Sequence, residues 1–349
     1  MLTIFLRSED LPNECRTPLI PSDVKKLLRN GFQVYVQTSK NRVYKDDLYS
    51  KAGAVLTTQK WYNPNYKTAL IVGLKEFFDL SKLDKHTHVY FSHLYKGQQN
   101  SVETLQEFSE SKSKIYDFEY FLDEDSGKRL IAFGSYAGQV GCALGLIQYY
   151  KKITANTNID KLKPWLTYKD MCNSVNISSI DNIKIAIIGA EGRCGKGVQK
   201  VLYELKIPFH VFDRNANFST LKDYDIIYNC ILLDKSYNKI WFNKNTVFTK
   251  PITIVDISCD YSKPNNPIKL YNEATTWNKP VYSYNEFVDI IAIENLPSLL
   301  PKESSNEFSV KFRNLLLKLY TGDSKNIWKN NLEVYNNIQA KNQEKLKSQ

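Results

Sequence analysis

One run constrains this chain more than any other: Ile183-Lys184-Ile185-Ala186-Ile187-Ile188-Gly189-Ala190-Glu191-Gly192-Arg193-Cys194-Gly195-Lys196-Gly197. Five of its first six residues are apolar, the pattern of a strand buried on both faces. A glycine-rich turn follows, and Val198 to Leu205 then repeats at helical spacing. Strand, glycine turn and helix together make a site for the pyrophosphate of a dinucleotide. Glycines let the backbone come close, and the N–H groups at a helix start favour negative charge. The spacing is Gly189-x-x-Gly192-x-x-Gly195 rather than the commoner G-x-G-x-x-G. Asp213 strengthens the reading, because it closes the next strand, Phe209–Phe212, where a carboxylate binds ribose hydroxyls. That carboxylate would repel a 2′-phosphate, which favours NAD over NADP; Arg214 beside it weakens the preference. A Walker A loop does not fit, because five residues separate Gly189 from Gly195-Lys196 and Gly197 follows.

The rest of the chain reads as alternating strands and helices, an α/β pattern with mainly parallel sheets. Before the glycine run, strands are expected at Leu2–Leu6, Phe32–Gln37, Ala69–Glu76, His88–His93, Lys114–Tyr120 and Arg129–Phe133. Helices are expected at Pro21–Gly31, Asp46–Gly53 and Ser101–Ser111. Gly134–Lys151 reads as one long helix rich in small residues, which suits close packing, plausibly between domains. After the glycine run, strands are expected at Phe209–Phe212, Asp225–Cys230, Ile252–Ser258 and Val281–Tyr284. The end reads as two helices, Asn306–Tyr320 and Asn326–Lys345, of a kind that often packs back on the first domain. The division expected is a first domain of residues 1–133 plus 302–349 and a dinucleotide-binding domain of 134–301.

Length and charge bound the rest. A chain of 349 residues has room for about two domains. Its six cysteines are scattered without CxxC spacing, which argues against zinc and against a secreted disulfide scaffold. A reduced, cytoplasmic setting is the expectation. The start, Met1 to Arg7, reads as a strand rather than a signal peptide, and Lys347-Ser348-Gln349 does not match a peroxisomal address. The net charge of +10 shows no basic run interleaved with aromatics, so nucleic acid is not expected. No run approaches a membrane span.

Several side chains in the first half carry chemistry. Lys75-Glu76 and His93 lie at the carboxyl ends of two expected strands, the edge that faces ligand in open α/β sheets. A lysine and a histidine brought together there could shift each other's pKa and divide acid and base work. The plainer alternative is a surface lysine and a structural histidine. His86-x-His88 with His93 has metal-like spacing, but no acid or cysteine cluster completes it, so no metal is expected. Arg16 could clamp a substrate carboxylate, or form a surface ion pair with Glu14. Asp117 and Glu119 are expected on one face of a strand. Cys194 and Cys230 both fall at the cofactor edge, where they read as reduced small residues.

Nine segments then carry a resemblance, in collinear order: Leu6-Arg7-Ser8-Glu9, Arg16-Thr17-Pro18, Ile71-Val72-Gly73-Leu74-Lys75-Glu76, Phe91-Ser92-His93-Leu94-Tyr95-Lys96, Tyr116-Asp117-Phe118-Glu119, Ala132-Phe133-Gly134-Ser135-Tyr136-Ala137-Gly138, Gly189 to Gly195, Val255-Asp256-Ile257-Ser258, and Leu296-Pro297-Ser298-Leu299-Leu300-Pro301. Together they resemble the fungal NAD-dependent, L-lysine-forming saccharopine dehydrogenases, within the alanine dehydrogenase and transhydrogenase group. The resemblance implies two Rossmann-like domains with the active-site cleft between them. It implies oxidative cleavage of L-saccharopine to L-lysine and 2-oxoglutarate, the last step of the aminoadipate route of lysine biosynthesis. Saccharopine, lysine, 2-oxoglutarate and NAD are then the expected partners of a monomer.

Residue by residue, the resemblance makes Lys75 the acid/base group for the secondary amine and His93 the group handling protons in imine hydrolysis. Glu76 and Glu119 tune that pair. Arg16, Lys75, Lys96, Gln98, Phe133, Ser258, Cys259 and Asp260 match substrate positions. Gly189, Gly192, Arg193, Cys194, Gly195, Asp213, Ile257, Ile293, Glu294, Asn295 and Leu296 match the cofactor side. Cys194 and Cys230 match a cysteine pair near the adenine end that can form a disulfide. Three cofactor positions depart from the family: Lys128 stands for an arginine, Leu232 for a tyrosine and Asn217 for a threonine. The loop at Asp123 is one residue longer. An alanine dehydrogenase-like oxidoreductase and a non-catalytic NAD-binding protein are the competing readings.

Overall fold

Alternate residues along the apolar runs face opposite ways, and this builds two layered sheets. In the strand before the glycine turn, Ile185 and Ile187 enter one core while Ala186 and Ile188 enter the core on the other face. Burial on both faces is what makes the run continuously apolar. The computed structural model describes residues 2–96, 101–175, 182–234, 236–322 and 326–347. The chain divides into two units, Met1–Ala132 with Pro301–Gln349, and Phe133–Leu300.

The first unit contains β1 (Thr3–Leu6), α1 (Pro21–Arg29), β2 (Gln33–Gln37), α2 (Asp46–Lys51), β3 (Val55–Thr57), β4 (Leu70–Val72), β5 (Thr87–Tyr90), α3 (Ser101–Glu110) and β6 (Lys114–Asp117). The strands form one parallel sheet in the order β3-β2-β1-β4-β5-β6. Chain order reverses between β1 and β4, so the loops leaving these two strands diverge and open a crevice.

The second unit contains α4 (Gly134–Ala155), α5 (Tyr168–Asn173), β7 (Ile185–Ile188), α6 (Arg193–Glu204), β8 (His210–Phe212), β9 (Ile226–Asn229), β10 (Ile252–Asp256), β11 (Tyr282–Ser283) and β12 (Val288–Ile291). The order is β11-β12-β10-β9-β7-β8, parallel except for β11. Here the reversal falls between β7 and β9, directly beneath the glycine turn.

Two long helices, α7 (Pro301–Thr321) and α8 (Ile327–Lys347), return to the first unit. Their attachment is polar as well as apolar. Thr17 donates its N–H to Ser305 Oγ at 3.0 Å, and Ile20 donates to Ser309 Oγ at 2.9 Å. Asp23 accepts from Ser309 Oγ at 2.8 Å and pairs with Arg313. From α8, Tyr335 donates to the Ser113 carbonyl at 2.8 Å.

The structure departs from the patterns at several points. Arg129–Phe133 is no strand: Arg129 makes a single bridge to Leu122, and Phe133 instead caps the start of α4. Lys114–Tyr120 stops as a strand at Asp117, whose carboxylate caps a 3₁₀ turn over Phe118–Tyr120; Asp117 and Glu119 therefore do not share a strand face. The small residues of α4 pack inside the second unit. A Cβ on Gly138 would lie 1.9 Å from the Cys194 carbonyl oxygen, and one on Gly197 2.0 Å from that of Ser135, so α4 and α6 cross with their backbones nearly touching. Finally, β12 and β3 are strands the patterns did not announce.

Candidate active site

The crevice of the first unit is lined from β1 outward. Arg7 follows β1 directly, buried, with its guanidinium laid across Gly73, where an added Cβ would fall 2.2 Å from Nε. It donates to the Lys75 carbonyl and pairs with Glu9 at 3.5 Å. Glu9 in turn accepts the N–H of Leu74 at 2.7 Å and of Lys75 at 3.0 Å. The segment carrying Lys75 is thus gripped at its N–H and at its C=O by one ion pair from the neighbouring strand. Lys75 and Glu76 lie beyond the end of β4, in the turn, not in the strand.

The loop after β1 delivers a second ion pair. Arg16 donates from Nε to Glu14 Oε1 at 2.8 Å and from Nη2 to Oε2 at 2.6 Å, a bidentate fork. The surface pair expected there is a buried one: Glu14 is 1% exposed and Arg16 5%. Burial alone would raise the Glu14 carboxyl. The Arg16 guanidinium, its hydrogen bonds and the nearby Lys75 ammonium outweigh it and hold the group below its ordinary value. Glu14, Arg16 and Lys75 therefore share one electrostatic neighbourhood at the sheet edge.

On the other side stands His93, three residues past the end of β5, in the left-handed region at φ 56°. Ser92 before it is buried and donates to Asp117 Oδ2 at 2.6 Å. Glu119, in the turn after β6, pairs with Arg129 at 3.0 Å. His86 and His88 belong elsewhere. They pack around Trp61, and His88 stacks on Phe77 with ring centres 4.5 Å apart. Among the described residues no cluster of His, Cys, Asp and Glu gathers to hold a metal ion.

In the second unit the glycine turn joins β7 to α6. Gly189 has φ +84°, and a Cβ there would fall 2.8 Å from the Cys230 carbonyl oxygen. A Cβ on Gly195 would fall 2.4 Å from the Gly189 carbonyl oxygen. Gln199 donates to the Ala190 carbonyl at 2.7 Å and braces the turn. Gly192 caps α6, so Arg193 and Cys194 form its first turn. Asp213 is exposed past β8, with Oδ1 accepting the Asn215 N–H at 2.7 Å. Arg214 faces Asp234 at 3.7 Å. A turn that excludes side chains at a helix start, followed by an open carboxylate one strand on, fits the pyrophosphate and ribose of NAD.

A family model for the alanine dehydrogenase/PNT N-terminal domain matches residues 5–140. An L-alanine dehydrogenase structure superposes with TM-score 0.73 at 16% identity, covering 95% of this chain and 94% of its own. A transhydrogenase from Sinorhizobium meliloti superposes at TM-score 0.67 and 17% identity, covering 90% and 92%. These show a shared fold. Sequence goes further. A saccharopine dehydrogenase [NAD(+), L-lysine-forming] from Candida glabrata is 32% identical over 97% of this chain and 98% of its own. Its counterpart from Schizosaccharomyces pombe is 32% identical with the same two coverages. The chain belongs to the NAD(+)-dependent, L-lysine-forming saccharopine dehydrogenase family.

Against that family frame, the remaining positions sort by their surroundings. Ile257, Ile293 and Leu296 are core residues, which leaves mainly backbone for a ligand. The Asn295 side-chain oxygen accepts from Trp277 Nε1 at 3.1 Å, and Glu294 is exposed with Tyr261 at 3.4 Å. Ser258 donates to the Ile231 carbonyl; Cys259 is left-handed at φ 53° and donates its N–H to Asp256 at 3.1 Å; Asp260 pairs with Lys263 at 2.9 Å. Asn217 spends its side chain capping Ser219 at 3.1 Å, Leu232 is 83% exposed, and Lys128 is exposed on the turn before Arg129. Cys194 and Cys230 are free thiols in this structure; burial pushes Cys194 up to about 11 and Cys230 well above its ordinary value. Lys96 closes the turn Leu94–Lys96, and Gln98 lies outside the described residues.

The patterns missed Arg7, Glu9 and Arg129, and they placed Asp117 on a strand face rather than under the Ser92 hydroxyl. Arg7 and Glu9 act on Leu74 and Lys75, more than sixty positions on, and Arg129 acts on Glu119, so no local spacing marks them. The buried charge of Arg7 and Glu9 beside an apolar strand was the available signal, since such groups stay buried when paired.

Proposed function

We propose that this chain catalyses the NAD-dependent oxidative cleavage of L-saccharopine to L-lysine and 2-oxoglutarate, as the relatives' name implies. The observation that carries the reading is 32% identity to an L-lysine-forming saccharopine dehydrogenase over 97% of the chain. The meeting of Lys75, Glu14 and Arg16 at one sheet edge supports it.

NAD, held by the turn from Gly189 to Gly195 and by Asp213, supplies the hydride acceptor. Lys75 takes the proton from the substrate's secondary amine, and Glu14 close by stabilises the ammonium so formed. The backbone grip of Arg7 and Glu9 keeps Lys75 in place, which lowers the entropy cost of reaching the transition state. Arg16, its plane fixed by Glu14, binds a substrate carboxylate. After hydride loss, His93 delivers and removes protons as water adds to the imine and the carbinolamine collapses. Glu76 and Glu119 set the field around both groups.

The same proposal has the chain acting as a cytoplasmic monomer on small molecules. Six free thiols suit a reduced compartment. Light scattering tests the monomer. The activity test is direct: purified protein, saccharopine and NAD should yield NADH, lysine and 2-oxoglutarate in equal amounts. NADH from alanine but none from saccharopine would replace this reading with an alanine dehydrogenase.

A further inference from the structure

Asp117 ends β6 at the register position opposite Tyr90, the last residue of β5. It is fully buried, yet every polar atom faces a partner. Its Oδ2 accepts the Ser92 hydroxyl at 2.6 Å, and Oδ1 accepts the Glu119 N–H at 2.8 Å. Its own backbone is bracketed by one side chain of α8: Asp117 N–H donates to Asn331 Oδ1 at 3.0 Å, and Asn331 Nδ2 donates to the Asp117 carbonyl at 2.8 Å. Ser92 and Asn331 are 2% and 1% exposed.

This carboxylate therefore joins two loops that share no strand hydrogen bonds beyond the end of the sheet. One carries His93 directly after Ser92; the other carries Glu119. A left-handed backbone at a residue with a Cβ is strained and persists where neighbours enforce it. Anchoring the preceding residue is one such enforcement, and stacking of the Phe91 ring near His93 (centres 6.2 Å apart) is another.

We infer that Asp117 is a positioning residue: through Ser92 it holds His93 in its left-handed turn at a fixed place relative to Glu119. The inference rests on the reading of His93 and Glu119 given above, and it adds a reason for an acid at this place rather than an amide. A carboxylate accepts on both oxygens, whereas an asparagine must turn its N–H₂ toward one of the two donors. Burial pushes the Asp117 carboxyl up to about 6, while the Ser92 hydroxyl and the Glu119 N–H favour its ionised form. The groups that feel this charge are Glu119 and Tyr120 in the same turn, Tyr90 from β5 and Tyr95 from the turn after His93.

The chain has four histidines, so imidazole signals of histidine-labelled protein are few and His93 can be assigned with His93→Gln. Two variants, Ser92→Ala and Asp117→Asn, are compared with wild type by NMR titration and by saccharopine turnover. Expected is a displaced His93 imidazole signal in both variants, with those of His86, His88 and His210 unmoved. Ser92→Ala should lower kcat about 10- to 100-fold with KM for saccharopine near wild type, the signature of a misplaced group. A folded Ser92→Ala or Asp117→Asn with unchanged His93 imidazole signals and unchanged kcat would overturn the inference. If Asp117→Asn does not fold, Ser92→Ala decides alone, because it removes one hydroxyl. The NMR arm needs no substrate: a shifted His93 in a protein that never turns over saccharopine would sink the proposed function and leave the positioning intact.

Discussion

Glu9 reaches from the loop after β1 to the turn after β4, where its carboxylate accepts the backbone N–H groups of both Leu74 and Lys75, at 2.7 and 3.0 Å. The same turn is held from its carbonyl side by Arg7. In the proposed role of Lys75, a lysine gripped through its backbone keeps a mobile side chain on a fixed base.

Glu9→Gln tests that grip. The amide must point its N–H₂ at a backbone donor or at the Arg7 guanidinium, so one charge-assisted bond is lost. The expected cost is about 1.5–3 kcal/mol of stability. Turnover should fall while NAD affinity stays within twofold, since the cofactor turn belongs to the other unit. Thermal melts, NAD titration and steady-state rates check the three parts; unchanged turnover in a folded variant would refute the role of Glu9.

The glycine turn gives a second prediction. In Gly195→Ala the new methyl would sit 2.4 Å from the Gly189 carbonyl oxygen and 2.5 Å from Ala190 Cα, both backbone atoms that cannot swing aside. The turn must open, a strain of about 1–3 kcal/mol. NAD affinity, read by fluorescence titration, should drop about tenfold or more, the equivalent of about 1.4 kcal/mol.

Asp213 sets cofactor choice in the proposed site. Its Oδ1 is engaged by Asn215 N–H, and Arg214 beside it faces Asp234. Asp213→Asn removes the repulsion toward a 2′-phosphate. The ratio of NAD to NADP affinity should shrink at least several-fold, with loss of NAD binding as the larger part. An unchanged ratio would contradict the assignment.

Stability should depend on pH through buried acids with opposite signs. Burial pushes Asp256 up to about 6 from an ordinary 3.8, against hydrogen bonds from Tyr271, Cys259 and Asn229. The fold thus favours its protonated form. That contribution is fully present below about 3.8 and is lost as pH rises through about 6. Its size is at most about 3 kcal/mol at about 1.4 kcal/mol per unit. Glu14 runs the other way: its folded value is lowered, so its contribution is present at neutral pH and is lost as acid protonates it. Urea midpoints from pH 4 to 8 should fall less steeply with rising pH in Asp256→Asn than in wild type. Parallel curves would refute the account of Asp256.

Much of this molecule was legible in its sequence, for physical reasons that also explain the gaps. Apolar runs such as Ile185–Ile188 declare a strand because both faces are buried. Pro21 opens α1 and Gly31, at φ +84°, stops the helix, two local signals that need no partner. By contrast Val288–Ile291 carries an acid in its middle. Asp289 is fully buried in β12 because Gln148, Ser283 and Lys152 come to it, at 2.8, 2.6 and 3.8 Å. His86-x-His88 has the spacing of a metal site and is an aromatic core, as Trp61 and Phe77 make plain. At the site, Lys75 and His93 stood out by residue type and strand-end position. Arg7 and Glu9, which hold the Lys75 turn, did not, because their role exists in contacts that close over large separations.

The central claim places the oxidant at the Gly189–Gly195 turn and proton transfer at Lys75. It is tested most directly by Lys75→Met, measured for NAD affinity and for NADH formation from saccharopine in the same preparation. The account predicts NAD affinity within twofold of wild type and a rate reduced about 10²- to 10⁴-fold. A variant that turns over saccharopine at close to the wild-type rate, or a wild-type chain that forms no NADH from saccharopine from neutral to alkaline pH, would contradict it.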